Sequence, residues 1–216
     1  MPRPTFIRPS SPTTAKKPPI GSGWLHELKL NGHRFQIVKT SRRVRLYGPG
    51  GTEWTRRLPG FAAAFLALRC RSAVLDGELV LPDENGAPDF DGLHLAAREA
   101  QEHELLFFAF DLLHRDGADL CPLPLEERRR RLIRLVSHTE IPCLHLVQAF
   151  DDGAKLLHAA ERMELKGIVS KRRGAAYRSG DCRDWRKVTT AGWREPNRER
   201  WRMFERTLAS LAWRSR

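Results

Sequence analysis

Glu27-Leu28-Lys29-Leu30-Asn31-Gly32-His33-Arg34 alternates between polar and apolar side chains, carries a lysine, breaks at Asn-Gly and resumes at an arginine. Alternation of this kind is strand periodicity, and Asn-Gly is a strong signal for a tight hairpin turn. A lysine held at a strand edge beside other cations can lose its proton, attack a phosphorus and carry a nucleotide covalently. Eight residues alone are equally well read as a surface strand entering a hairpin, so their meaning depends on what surrounds them.

Outward from this stretch the chain is rich in short strands. Strand patterns cover 25–30, 34–39 and 44–47, followed by helical spacing over 61–69, and two strong strands follow at 73–81 and 105–113. Pro82-Asp83-Glu84-Asn85-Gly86 reads as a turn and 91–104 as a helix with a polar face. A helix is predicted over 124–136, and its run Arg128 to Arg131 with Arg134 reads as a solvated cationic face. Next come a strand at 141–148, a helix at 151–163 capped by Asp151 or Asp152, and strands at 167–171 and 185–188. Hairpin-joined strands with interspersed helices predict an α+β fold rather than a regular βαβ wind.

Residues 1–23, rich in Pro, Ser, Thr and Lys, read as an extended arm that wraps the surface or stays mobile. Residues 24–190 form the expected body. The basic segment 191–216, with Trp193, Trp201 and Phe204 among arginines, is too short for a five-stranded OB barrel.

The 216 residues are long enough to bury a core, and 38 Lys and Arg against 26 Asp and Glu give a net charge of +12. That excess, with Arg greatly outnumbering Lys, suits a polyanionic partner, nucleic acid first among them. Cys70, Cys121, Cys143 and Cys182 are widely spaced with no C-x-x-C pair, which argues against a zinc site or a disulfide framework. A reduced, cytoplasmic setting is expected, with neither a membrane span nor a secretory signal.

Five features of the body combine. Lys29 ends the first strand, and Glu78 lies in Val74-Leu75-Asp76-Gly77-Glu78-Leu79-Val80. Phe110 lies in Phe107-Phe108-Ala109-Phe110-Asp111-Leu112-Leu113, Lys171 ends Lys166-Gly167-Ile168-Val169-Ser170-Lys171, and Lys187 lies in Trp185-Arg186-Lys187-Val188. Each has an ordinary reading: Glu78 as the polar member of a half-buried strand, Phe110 as core, the lysines as solvated strand ends. Together, three strand-end lysines, a strand glutamate and an aromatic ring are the parts that hold a nucleoside triphosphate.

In this order the motifs resemble the adenylation (nucleotidyltransferase) domain of ATP-dependent DNA ligases, especially the bacterial non-homologous end-joining type. The resemblance runs from His26-Glu27-Leu28-Lys29 through Leu75-Asp76-Gly77-Glu78, Phe108 to Leu113, Gly167 to Arg172, Tyr177-Arg178-Ser179-Gly180 and Trp185-Arg186-Lys187 to Asn197-Arg198-Glu199-Arg200-Trp201. It implies the nucleotidyltransferase fold, antiparallel sheets flanked by helices, without the OB-fold domain that follows in full ligases. It implies Lys29 as the nucleophile toward ATP, forming a covalent lysyl-AMP with magnesium at the phosphates. The AMP then passes to the 5′-phosphate of nicked double-stranded DNA for strand joining in DNA repair and recombination. Arg34 and Glu78 match ribose-binding residues, Phe110 the ring that stacks on adenine, Glu27 a neighbour of the adenine edge, and Lys171 and Lys187 the α-phosphate lysines. A partner protein supplying an OB-fold or end-binding function is a further expectation. The alternative is a weakened or inactive ligase-like protein that binds nucleic acid as an accessory.

The sequence departs from the pattern at four places. Asn31 stands for the aspartate of Lys-x-Asp-Gly-x-Arg, and Gly48-Pro49-Gly50-Gly51 replaces a loop that carries an arginine. Lys166 stands where the family has an acidic residue that helps organise a metal, and Thr189 replaces the second lysine of Trp-x-Lys-x-Lys. The metal ligands are thus left unassigned.

Overall fold

Apolar residues that recur at every second position give each strand two faces, and here both faces of each main sheet find something to cover them. The structure is a computed structural model and describes residues 4–82 and 102–194. In chain order its elements are β1 (Ser10–Thr14), β2 (Trp24–Leu28), β3 (His33–Lys39), β4 (Val44–Tyr47), α1 (Pro59–Ala64) and β5 (Ala73–Val80). Then come β6 (Leu106–Arg115), β7 (Ala118–Asp119), α2 (Leu125–Ser137), β8 (Leu144–Leu146), β9 (Ala149–Phe150), α3 (Gly153–Arg162), β10 (Gly167–Arg172), β11 (Gly180–Thr189) and α4 (Ala191–Arg194). Short 3-10 turns lie at Phe65–Ala67 and Glu102–Glu104.

One sheet runs β4-β3-β5-β6-β7 with β8 added parallel to β6, and the other runs β1-β11-β10-β2-β9. Apart from β8 on β6 and β1 on β11, the pairings are antiparallel. On the first sheet, Phe35, Ile37, Leu75, Leu79, Phe107 and Leu112 pack against Phe61 of α1 and Leu132 and Leu135 of α2. Its opposite face presents Val38, Val74, Phe110 and Leu113 to Tyr177, Cys182 and Trp185 of the second sheet and its approach. The outer side of that sheet is covered by α3, through Leu156 and Ala160 on Ile168 and Val188. Helices therefore sandwich two sheets, and the space between the sheets is where strand ends of both converge. This is the expected α+β nucleotidyltransferase architecture.

The structure corrects several local expectations. The arm is part of a sheet: Ser10–Thr14 extends β11 in parallel, and the Ala15 N–H donates to the Lys187 carbonyl at 2.9 Å. The single strand expected over 141–148 is two, because β8 pairs with the first sheet and β9 with the second, so the chain crosses between sheets near Val147. The helix expected over 61–69 begins at Pro59, whose fixed φ suits a first turn, and tightens to 3-10 after Ala64. Asp152 is the cap of α3, its Oδ1 accepting from the Ala154 and Lys155 N–H groups at 3.1 and 3.0 Å.

The largest correction concerns α2. Its arginine run is not a solvated face, because Arg128 shares the buried stripe of Leu125, Leu132 and Leu135 and is fully buried. Its guanidinium forms a two-pronged bond with Asp111, Nε to Oδ1 and Nη2 to Oδ2 both at 2.8 Å, and Nη1 donates to the carbonyls of Leu123 and Ala175 at 2.6 and 3.0 Å. No helix of the described residues is long and apolar enough to cross a membrane. The expected helix over 91–101 and the Asn197 to Trp201 motif lie outside the described residues.

Candidate active site

Register decides which side chains meet between the sheets. Val169 stands opposite Glu27 on one side and Lys187 on the other, and Lys171 stands opposite Leu25 and Trp185. Glu27, Lys171, Trp185 and Lys187 therefore share the inward face, and Lys29, two residues beyond Glu27, continues the same alternation. On the facing sheet Arg34 pairs with Glu78, and Glu78 with Phe108. Phe110 falls at a bulge, since Asp76 pairs with Asp111 but Gly77 with Ala109, and its ring turns into the inter-sheet cluster. All seven residues singled out from the sequence thus lie on or beside this inter-sheet space.

Two close approaches fix the nucleophile's surroundings. The Lys29 N–H donates to the Gly167 carbonyl at 2.8 Å, which extends the β2–β10 pairing one step past the strand. Gly167 has φ +144°, and a Cβ there would lie 2.0 Å from the Val188 carbonyl oxygen, so only glycine fits between these strands. Gly32 is held as tightly: its N–H donates to Glu78 Oε1 at 3.0 Å, and a Cβ would stand 2.4 Å from the Leu79 carbonyl oxygen. The Asn-Gly turn therefore packs down onto β5 instead of standing free in solvent.

Several candidate residues are held by partners that the motifs did not announce. Glu27 receives Lys171 Nζ at 2.5 Å and Arg129 Nη1 at 2.7 Å, while Arg129 Nη2 donates to the Val147 carbonyl at 2.5 Å. The Lys171 ammonium also lies 4.2 Å from the ring centres of both Phe110 and Trp185. Burial lowers its pKa and the Glu27 carboxylate opposes that fall. Arg34 is clamped by Asp76, Nε to Oδ1 at 3.0 Å and Nη2 to Oδ2 at 2.6 Å, and it also reaches the Ser10 carbonyl and the Tyr177 hydroxyl. The Tyr177 hydroxyl in turn donates to Asp76 at 2.6 Å and accepts from the Ser10 N–H at 3.0 Å. Arg34 is thus an anchor between the arm strand and β5, with its main bonds already made inside the protein.

The rings also divide their work. Phe110 is only 9% exposed and sits edge-on to Trp185, with Lys171 over its face. Phe108, on the same side of β6 and directly opposite Glu78, is half-buried and stacks on His145 with ring centres 5.2 Å apart.

Lys166 joins the site from the start of β10. It is 6% exposed, its Nζ lies 3.4 Å from Asn31 Oδ1 and 5.6 Å from the centre of the Trp193 ring, and its charge is felt by Lys29, Glu78 and Lys187. Burial first, and then the Lys29 charge, push its pKa down to about 7, with Glu78 opposing and Lys187 adding to the fall.

The sign of the resulting pH dependence follows. In the unfolded chain Lys166 holds its proton up to its ordinary value of 10.5, whereas the folded chain releases it near 7, so folding stability rises with pH above about 7. Above pH 9 the Cys121 thiol, pushed up to about 12 chiefly by burial, works in the opposite sense. Between those limits Lys166 is expected to contribute a gain of roughly 2 kcal/mol, since one proton per pH unit is worth about 1.4 kcal/mol. Urea unfolding at both ends of the interval checks this. Lys166→Met should be the more stable protein at pH 7 and should lose that part of the slope.

Away from this site, Arg42, Arg43, Arg45 and Arg71 line a groove of about 780 Å³ with Asp116, at the opposite end of β3 and β5 from Lys29. Asp116 is engaged there, accepting from the backbone N–H groups of Arg71 and Ser72 at 2.7 and 3.1 Å.

Comparison with known proteins agrees with this geometry. The family description "ATP dependent DNA ligase domain" matches residues 11–189. The multifunctional non-homologous end joining protein LigD of Pseudomonas aeruginosa is 39% identical over 188 residues, covering 87% of this chain and 22% of that protein. LigD of Mycobacterium tuberculosis is 31% identical over 182 residues, 80% of this chain and 23% of that protein. The solved ligase domain of M. tuberculosis LigD superimposes with a TM-score of 0.73 at 27% identity, covering 85% of this chain and 60% of that one. This chain therefore spans about a fifth of the length of the LigD proteins it matches.

Proposed function

The chain belongs to the ATP-dependent DNA ligase domain family, and from that premise we propose that it forms a covalent lysyl-AMP at Lys29 and passes the AMP to the 5′-phosphate of broken duplex DNA. The observation that carries this reading is the placement of Lys29, pinned by its backbone to Gly167 and facing the inter-sheet space beside Lys166 and Glu78.

In the proposed step the neutral Lys29 amine attacks the α-phosphorus of ATP. A P–N bond forms, the bond from that phosphorus to the bridging oxygen breaks, pyrophosphate leaves with the electron pair, and the amine's surplus proton goes to solvent. Lys187, on the same face, and Lys166 are the cations placed to offset charge on the phosphate oxygens. Phe108 and Phe110 offer the two rings against which a base can lie, Phe108 with the more open surface. Transfer to DNA needs a basic surface, and the net charge of +12 with the arginine-lined groove supports one. Joining ends in non-homologous end-joining repair, with a second domain supplied by another protein or another part of a longer one, completes the reading.

The magnesium implied by the resemblance does not find a protein ligand set. Among the described residues no three His, Cys, Asp or Glu side chains group closely enough to hold an ion. Glu78, the carboxylate of the cluster, is bonded to the Gly32 N–H and faces the ammonium groups of Lys29, Lys166 and Lys187.

Incubation with α-labelled ATP tests the proposal. Label that survives denaturation, is released by acid as expected of a phosphoramidate, and maps to the peptide carrying Lys29 is the expected result. A folded chain that takes up no label but retains duplex DNA would instead support the accessory-protein reading.

A further inference from the structure

The cluster around Lys166 has a composition that a nucleotide-phosphate site with a bound metal would not have. Three ammonium groups, on Lys29, Lys166 and Lys187, act on one another from the end of β2, the start of β10 and the end of β11, and the carboxylate among them is Glu78. Glu78 is already engaged by the Gly32 N–H at 3.0 Å. The nearest named acceptor for Lys166 is the neutral amide oxygen of Asn31 at 3.4 Å. An aspartate at that position would close an ion pair and cancel the ammonium charge, whereas an amide orients the ammonium and leaves its charge for an anion. The Trp193 ring, 5.6 Å from Nζ, shields it on another side without neutralising it. Clustered like charges of this kind repel until an anion enters between them, and they repel a divalent cation for the same reason.

We propose that Lys166 is the built-in counter-ion for the phosphates of a nucleotide in this site, so that the chain binds its nucleotide without a protein-bound divalent metal. The proposal rests on the reading of this space as a nucleotide site and names how that site balances charge. The backbone supports it: the Thr190 N–H donates to the Lys166 carbonyl at 3.2 Å and Gly167 locks the next residue between strands, so Lys166 enters the cluster from a fixed position.

The test is equilibrium binding of the α,β-methylene analogue of ATP, in which the bridge that the reaction would break is replaced by carbon. Dissociation constants are measured with excess EDTA and with excess magnesium, for the wild type, Lys166→Met and Lys166→Glu, after thermal melting shows each to be folded. The wild type should bind within about twofold in the two conditions. Lys166→Met should weaken binding about tenfold in EDTA, the size of one charge-assisted contact. Lys166→Glu should bind poorly in EDTA and recover with magnesium. A wild type that binds about tenfold or more tightly with magnesium overturns the inference but leaves the nucleotide site standing, as does Lys166→Met binding like the wild type in EDTA. A folded wild type that binds the analogue in neither condition overturns both.

Discussion

Lys29→Ala is expected to take covalent labelling by ATP to background while leaving thermal stability unchanged or slightly raised. The position of residue 29 is set by its backbone, through the N–H bond to the Gly167 carbonyl, and alanine keeps that bond. What is removed is the amine, and without it no P–N bond can form in the proposed step. The side chain is half-buried beside Lys166, whose pKa it helps to depress, so its loss also relieves a repulsion. A second signature therefore accompanies the loss of label: Lys166 should titrate closer to an ordinary lysine. Labelling and a melting curve on the same preparation decide the matter. If label persists in Lys29→Ala and vanishes in Lys166→Met, the nucleophile is Lys166 instead.

Asp111→Ala is expected to cost about 3–5 kcal/mol, the range for removing one partner of a buried ion pair, and so a large share of the stability of a single domain. Both partners are fully buried and the two parallel bonds of 2.8 Å have no solvent to replace them. The damage should spread, because the same guanidinium holds the Ala175 carbonyl, two residues before the Tyr177 that secures Asp76 and Arg34. Pairing Asp111→Ala with Arg128→Met should recover much of the loss, since a methionine leaves no stranded charge. Urea denaturation of the single and double variants gives the comparison; equal losses in the two would mean that packing, not charge, dominates at this point.

The sheet strands and the site they frame were legible because their signals are local. Period-two alternation placed β3, β5 and β6 within one or two residues, and Lys29, Glu78, Lys171 and Lys187 fell where strand ends should bring them. What stayed hidden depends on contacts between distant segments. Nothing local marks Ser10–Thr14 as a strand, because its partner lies in β11. Arg128 and Arg129 look alike in a run of arginines, yet one meets Asp111 and the other Glu27, and only the spacing of Arg128 from Leu125 and Leu132 could have separated them. Arg34 resembled a ligand contact until Asp76, two residues before Glu78 and on its face, proved to hold it. Lys166 stood out as an odd residue from the start, but that Asn31 meets it across 135 positions belongs to the fold alone.

The parallel seam between β1 and β11 also dictates the order in which this chain can become itself. The first sheet is stitched largely by neighbours in sequence, so β3 to β6 can assemble early through short-range closures. The second cannot: the Ser10 N–H waits for a tyrosine hydroxyl 167 residues downstream, and Lys187 arrives with the same late strand. On an emerging nascent chain, the scaffold facing the site would therefore exist well before the site, and a pause in synthesis ahead of β11 would leave half a cleft awaiting its last wall.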